Sequence, residues 1–184
     1  MIIFDFDQTL VDTSSVERLR AAKNWSAVMV AVSKLPIYQG INELLAELHS
    51  VKRTLAIVTK SPDMVAKSFI QQHRWPINIV VGYHQVSRRK PDPEGLLLAM
   101  RKAGARQADT YHVGDRPEDT AASRAAGVTA IGSAWGATDV DALAASSPDY
   151  LFKTVGELQN FLFTAGLPNG RSINCTSRRS QLLG

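Results

Sequence analysis

One cysteine, Cys175, stands in a chain of 184 residues. A lone thiol forms no intrachain disulfide, no thiolate metal cluster and no dithiol redox pair. The histidines are sparse too, and His49, His73, His84 and His112 are isolated along the chain. His112 falls inside an apolar run and reads as a core imidazole rather than a base. No apolar stretch approaches the roughly 20 residues that cross a bilayer, and the first residues are apolar and acidic where a cleavable leader would be basic. The cytoplasm is the expected location. Excess charge is also scarce, because the net +4 leans on residues 165–184, where Arg171, Arg178 and Arg179 have no acidic neighbour. The remainder holds 18 basic against 17 acidic residues. A body so close to neutral gives no ground for expecting nucleic acid, and residues 165–184 read as a disordered tail. Neither nucleic acid nor a membrane is an expected partner.

What the chain does have is the composition of one ordinary globular domain, 45% hydrophobic and 21% charged. Apolar, strand-like runs recur at Ile2 to Phe4, Thr54 to Val58, Ile77 to Val81, Thr110 to Val113, Val128 to Ile131 and Tyr150 to Phe152. Segments with helical spacing lie between them at Gly40 to Leu48, Met64 to Ile70, Pro93 to Lys102 and Glu118 to Ala126, with a last one at Val155 to Phe163. Gly104 and Gly127 fit helix C-caps. This alternation predicts an α/β fold, a parallel sheet with helices on both faces in three layers, within a single domain over residues 1–164. Residues 13–38 are an insertion the sheet does not need. Leu19, Trp25, Val28, Met29, Val32 and Leu35 fall at helical spacing there, with Ser14 or Ser15 as N-cap, so one helix or a short helical hairpin is expected.

The most informative residues are Asp5 and Asp7, which follow the apolar run Ile2-Ile3-Phe4. Side chains two apart on an extended segment point the same way. Two carboxylates therefore meet at the carboxyl edge of a buried strand, where open α/β sheets place their sites, and such crowding calls for a cation. Three later features fit the same edge: Thr59 after Leu55-Ala-Ile-Val58, Lys90 in Arg-Arg-Lys-Pro-Asp-Pro, and Gly114-Asp115 with Asp119 after Tyr111-His-Val113. Carboxylates without His or Cys favour a hard cation, Mg²⁺.

In this order the four motifs resemble those of the haloacid dehalogenase-like (HAD) hydrolase superfamily, and Asp-Phe-Asp-Gln-Thr-Leu-Val-Asp12 is similar to its phosphoglycolate-phosphatase-like branch. Gln8 stands where that family usually has glycine. The resemblance implies a Rossmann-like HAD fold in which residues 13–38 are a minimal helical cap. It also implies a phosphomonoester hydrolase, with Asp5 as nucleophile and Asp7 as general acid and then base. Thr59 and Lys90 would complete the catalytic set, and Thr9, Thr59, Ser61 and Lys90 would contact the substrate. By the same resemblance Mg²⁺ would be held by Asp5, the backbone carbonyl of Asp7, and Asp115, with Asp119 beside it. The acid at Asp7 sets the chain apart from the haloalkanoate dehalogenases of the superfamily, which lack one there.

Several alternatives stay open at this level. Asp119 also suits the first turn of a helix as a dipole partner, and Asp12 reads as a helix cap rather than a ligand. Arg88 and Arg89 are either solvated charges or a hold on a second anionic group of the substrate. Trp135 and Gly136 lie at the functional edge, with Trp135 also suited to the core. The insertion is a lid or a core-packing helix. Its brevity implies an open pocket or one completed by a second subunit, hence a possible homodimer. A small phosphorylated substrate is expected. A macromolecular phosphate, a phosphotransfer reaction and a non-catalytic binding module are the alternatives.

Overall fold

A computed structural model describes residues 1–164, so the expected tail at 165–184 lies outside the described residues. Six strands form one parallel sheet in the order β3-β2-β1-β4-β5-β6. They are β1 (Ile2–Phe4), β2 (Leu55–Val58), β3 (Ile79–Val81), β4 (Tyr111–Gly114), β5 (Thr129–Ser133) and β6 (Tyr150–Phe152). The helices are α1 (Glu17–Ala21), α2 (Trp25–Ala31), α3 (Ile41–Ser50), α4 (Asp63–His73), α5 (Glu94–Ala103), α6 (Pro117–Ala126), α7 (Val140–Ala145) and α8 (Val155–Thr164).

Alternation along β1 explains the layering. Ile2 and Phe4 point to one face, where they join Leu44 and Leu48 of α3, Phe69 of α4 and Leu158 of α8. Ile3 points to the other, with Leu96 and Met100 of α5 and Ala122 and Ala126 of α6. β1 and β2 are therefore apolar on both sides, as a sheet covered twice requires. Chain order reverses direction between β1 and β4, which pair directly through Ile2–Tyr111, Ile3–His112 and Phe4–Val113. Such a switch point opens a crevice at the strands' carboxyl ends.

The insertion is a helical hairpin, α1 and α2, flanked by single 3-10 turns at Ser14–Val16 and Val32–Lys34. Its two connecting segments pair with each other, with Val11 opposite Ile37 and the Asp12 amide donating to the Pro36 carbonyl at 2.9 Å. Neither Ser14 nor Ser15 caps a helix. The Ser14 amide instead donates to Asp12 Oδ1 at 2.9 Å, which starts the chain in a tighter turn. β3 begins two residues later than expected, because the Ile77 amide is taken by the Trp75 carbonyl in a local turn. Helix α7 is absent from the sequence reading. Only Leu143 of it is buried, so it carries no apolar period, and its signal is the Asp139 side chain accepting from the Ala142 amide at 2.8 Å.

Candidate active site

The chain leaves β1 and turns at once. The Asp5 amide donates to the Val113 carbonyl at 2.8 Å, and the Gln8 amide to the Val11 carbonyl at 2.8 Å, which folds residues 5–11 into a tight loop over the switch point. Gln8 takes φ 60°, a left-handed conformation that favours glycine. Its side chain is held on both sides: Oε1 accepts from the Tyr38 hydroxyl, and Nε2 donates to Asp12 Oδ1 at 3.4 Å. Gln8 thus ties the two connecting segments of the insertion to the loop that carries the aspartates.

Lys90 is buried and stands between two carboxylates, its Nζ 2.9 Å from Asp5 Oδ1 and 2.6 Å from Asp119 Oδ1. Burial disfavours its charge, but Asp119 and Asp5 more than offset that and hold the ammonium protonated. Asp7 faces a different set. Its Oδ2 accepts from Ser61 Oγ at 2.8 Å and Thr59 Oγ1 at 3.2 Å, and Arg20 Nη2 lies 2.8 Å away. Thr59 Oγ1 also accepts from the Ser61 amide at 3.0 Å, so the end of β2 is organised around Asp7.

On the β4 side, Thr9 Oγ1 donates to Asp115 Oδ1 at 3.3 Å and sits 3.2 Å from Ser133 Oγ. Thr9 is fully buried behind the carboxylates, so its expected contact with substrate gives way to a hold on Asp115. Asp119 takes the expected place at a helix start, where Oδ2 accepts from the Arg116 amide at 3.0 Å, and its Oδ1 also pairs with Lys90, a contact the sequence does not announce. Gly114 is required there, since a Cβ on it would stand 2.4 Å from Asp119 Cγ. His112 is buried with Nδ1 2.7 Å from Ser123 Oγ. Burial, then Lys90, lowers its pKa, so the ring is neutral.

Oxygen atoms of Asp5, Asp115 and Asp119 all lie within 4.8 Å of one another. Asp7 Oδ1 and Asp115 Oδ2 are buried without a hydrogen-bond partner. Crowding shows in the acidities. Burial, then Asp5 and Asp119, pushes Asp115 up to about 8, and burial also raises Asp5 and Asp7 against the pull of Lys90 and Arg20. Unpaired buried carboxylate oxygens at a hard-donor cluster fit a divalent cation.

Two residues, Arg20 and Tyr38, escape a reading of the sequence alone. Arg20 looks like a surface partner of Glu17, which it also meets at 2.7 Å, yet it reaches Asp7. Tyr38 and Gly136 hold the loop from outside, a Cβ on Gly136 falling 1.8 Å from the Gln8 carbonyl oxygen. Trp135, half-buried, donates from Nε1 to the Thr9 carbonyl at 3.0 Å. Arg88 is a solvated residue paired with Asp92 at 3.3 Å, whereas Arg89 packs its guanidinium over the Tyr83 ring.

A doubly wound sheet with paired aspartates after its first strand, a buried lysine and a third aspartate across the switch point defines a class of acid-rich α/β hydrolytic sites. The chain belongs to the haloacid dehalogenase-like hydrolase family, whose sequence profile matches residues 15–133. A Dickeya dadantii protein named "Probable phosphatase IndB" is 33% identical over 160 residues, spanning 83% of this chain and 70% of that protein. The phosphoglycolate phosphatase of Vibrio parahaemolyticus is 29% identical over 125 residues, 66% of this chain and 54% of its own. The chain thus spans about half the length of the phosphoglycolate phosphatase it matches. In fold it is similar to a hydrolase from Pseudomonas syringae, with a TM-score of 0.74 at 22% identity over 86% of this chain and 95% of that one. CbbY from Rhodobacter sphaeroides, solved with phosphate, gives 0.73 at 16% identity over 85% and 95%. No helix among the described residues is long and apolar enough to cross a membrane.

Proposed function

We propose that the chain is a Mg²⁺-dependent phosphomonoester hydrolase that works through an aspartyl-phosphate on Asp5. The observation that carries this reading is Lys90, buried between Asp5 and Asp119, with Asp7 separately held by Ser61, Thr59 and Arg20. Two carboxylates only two residues apart on one loop thereby have different surroundings, which separates a nucleophile from an acid and base.

Asp5 attacks phosphorus in line with the ester oxygen, forming the Asp5 Oδ–P bond as the P–O ester bond breaks. Asp7, protonated, gives its proton to the departing alkoxide. As carboxylate it then takes a proton from water, whose oxygen attacks phosphorus and frees Asp5 with inorganic phosphate. Ser61 and Thr59 orient Asp7 through both stages, and they offer hydroxyls beside the transferring group. Lys90 screens the charge on Asp5 and the phosphoryl oxygens. Mg²⁺ would be held by Asp5, the Asp7 backbone carbonyl and Asp115, with Asp119 beside them, and would neutralise the crowded carboxylates and the phosphoryl group. Thr9 keeps Asp115 aimed at that place.

A small phosphorylated substrate agrees with the cavity over Asp5 and Asp7, which holds about 230 Å³. The insertion brings its own side chain, Arg20, over the site, so a second subunit is not needed for that purpose. The test is release of inorganic phosphate from a panel of monoesters with and without Mg²⁺, alongside Asp5→Asn. Release that needs both the metal and Asp5 supports the reading, and release that survives Asp5→Asn refutes it.

A further inference from the structure

The walls of the cavity say what kind of leaving group it admits. Asp5 and Asp7 form its floor, and Trp25 from the insertion and Tyr83 from the turn after β3 line it from two separate elements. Trp25 packs one side against the core and Tyr83 is half-buried, and both still present ring surface to the cavity. The Tyr83 ring is fixed. Arg89 Cζ lies 3.6 Å from the ring centroid, and the His84 ring meets it edge-on at 5.0 Å and 77°. One face being taken by the guanidinium, the opposite face is the one offered to a ligand. A ring held this way stacks without losing further freedom.

The cations of the mouth argue in the same direction. Lys60 Nζ is bonded to both oxygens of Glu118, at 3.0 and 2.9 Å, and Arg20 is engaged by Asp7 and Glu17. Arg116 Nε lies 3.7 Å from Asp115 Oδ2. Of the four cations lining the cavity, Arg20 and Lys60 are bonded to carboxylates, Arg116 lies near one, and Lys23, exposed at the rim, has no carboxylate partner among the described residues, so a second anion on the substrate would find one free charge, away from the floor. An aromatic surface finds Trp25 and Tyr83.

We propose that this site selects phosphomonoesters whose leaving group carries a planar aromatic ring, as a nucleoside 5′-monophosphate does, with Trp25 and Tyr83 as the residues that set the preference. This rests on the phosphatase reading, and the experiment separates the two. Uridine 5′-monophosphate and ribose 5-phosphate share the same primary alkoxide, so any difference in kcat/KM reports the base alone. The nucleotide is expected to be preferred by about 5- to 150-fold, the effect of one base–aromatic stack. Trp25→Leu and Tyr83→Leu should each shrink that ratio toward one. Circular dichroism checks their folding, and Tyr83→Leu carries the test if Trp25→Leu unfolds. A ratio near one in the unaltered protein, or one unchanged in both variants, overturns the proposal. Calorimetric titration of the two ligands into Asp5→Asn decides it without turnover. Equal affinities there refute the aromatic preference. Tighter nucleotide binding with no monoester hydrolysed by the unaltered protein upholds the preference while the phosphatase reading fails.

Discussion

Arg20 Nη2 stands 2.8 Å from Asp7 Oδ2, so the helical insertion places a fixed cation on the carboxylate assigned to proton transfer. The same guanidinium donates from Nη1 to Thr13 Oγ1 at 3.1 Å and to Glu17. It therefore arrives braced by its own helix and by the start of the insertion. A short cap is in this way more than a cover, because it changes the electrostatics of the group beneath it.

Replacing Arg20 removes a charge that favours ionised Asp7, whose pKa burial already raises. Arg20→Met is expected to lower kcat/KM by roughly 10²-fold, the scale of losing about 1 Å of alignment. It is also expected to move the limb of the pH profile that reports Asp7 to higher pH. An unmoved limb with reduced rate would leave Arg20 only a structural part.

The carboxylate cluster gives stability a pH dependence of definite sign. A carboxyl whose pKa is higher folded than unfolded stabilises the fold while protonated, and that contribution fades as pH rises through the folded value. Asp5, Asp7 and Asp115 are all raised, chiefly by burial, with Asp115 at about 8. Lys90, held charged across this range, does not cancel the trend. In chelator, the midpoint of thermal unfolding should fall as pH goes from about 5 to about 8. Added Mg²⁺ should raise it more at the upper end, where proton and metal no longer compete. Calorimetry in paired buffers reads both effects.

Gln8 and Tyr38 test how the insertion is held. Tyr38→Phe deletes the hydrogen bond to Gln8 and leaves the backbone as it is, at a cost of about 1 kcal/mol. Gln8→Gly deletes both side-chain bonds but relieves the left-handed φ, worth about 1–2 kcal/mol, so its stability should change little. Both variants should speed amide hydrogen exchange across residues 13–38 relative to the sheet. Exchange unchanged in both would show that the hold on the insertion does not depend on this contact.

Gly136 bears on the loop from the far side. Since a Cβ there would overlap the Gln8 carbonyl oxygen, Gly136→Ala must push either the β5 loop or the aspartate loop aside. Loss of activity larger than loss of stability is expected, read from kcat against the thermal midpoint. Gly104→Ala is the control, because a Cβ at Gly104 meets nothing within 4 Å, although its φ of 62° exacts its own strain.

The sheet and the aspartates are legible in the sequence because their signals are local. Ile2-Ile3-Phe4 is apolar on every residue since both faces of β1 are covered, and each motif follows its strand directly. Asp119 is legible in type but not in place, for its pairing with Lys90 joins residues from different loops. Arg20 is hidden because Arg18, two positions away on the same short helix, looks alike in sequence, and only the path of the hairpin turns one of them inward. Thr9 misleads for a related reason: its motif puts it next to the site, while the tight loop of residues 5–11 turns its hydroxyl back toward Asp115 and Ser133. Helix α7 lacks the buried period that would announce it.

The aspartyl-phosphate on Asp5 is the central claim, and trapping it is the most direct test. The protein with Mg²⁺ is mixed with an aryl phosphate, whose leaving group departs without a proton, quenched in acid within a turnover, digested and mapped by mass spectrometry, with Asp7→Asn included to slow breakdown of the intermediate by about 10²–10⁴-fold. One phosphoryl group on the peptide that carries Asp5, lost in Asp5→Asn, is the expected result. Phosphate released at full rate with no adduct on Asp5 at any quench time, or an adduct on another residue, would contradict it.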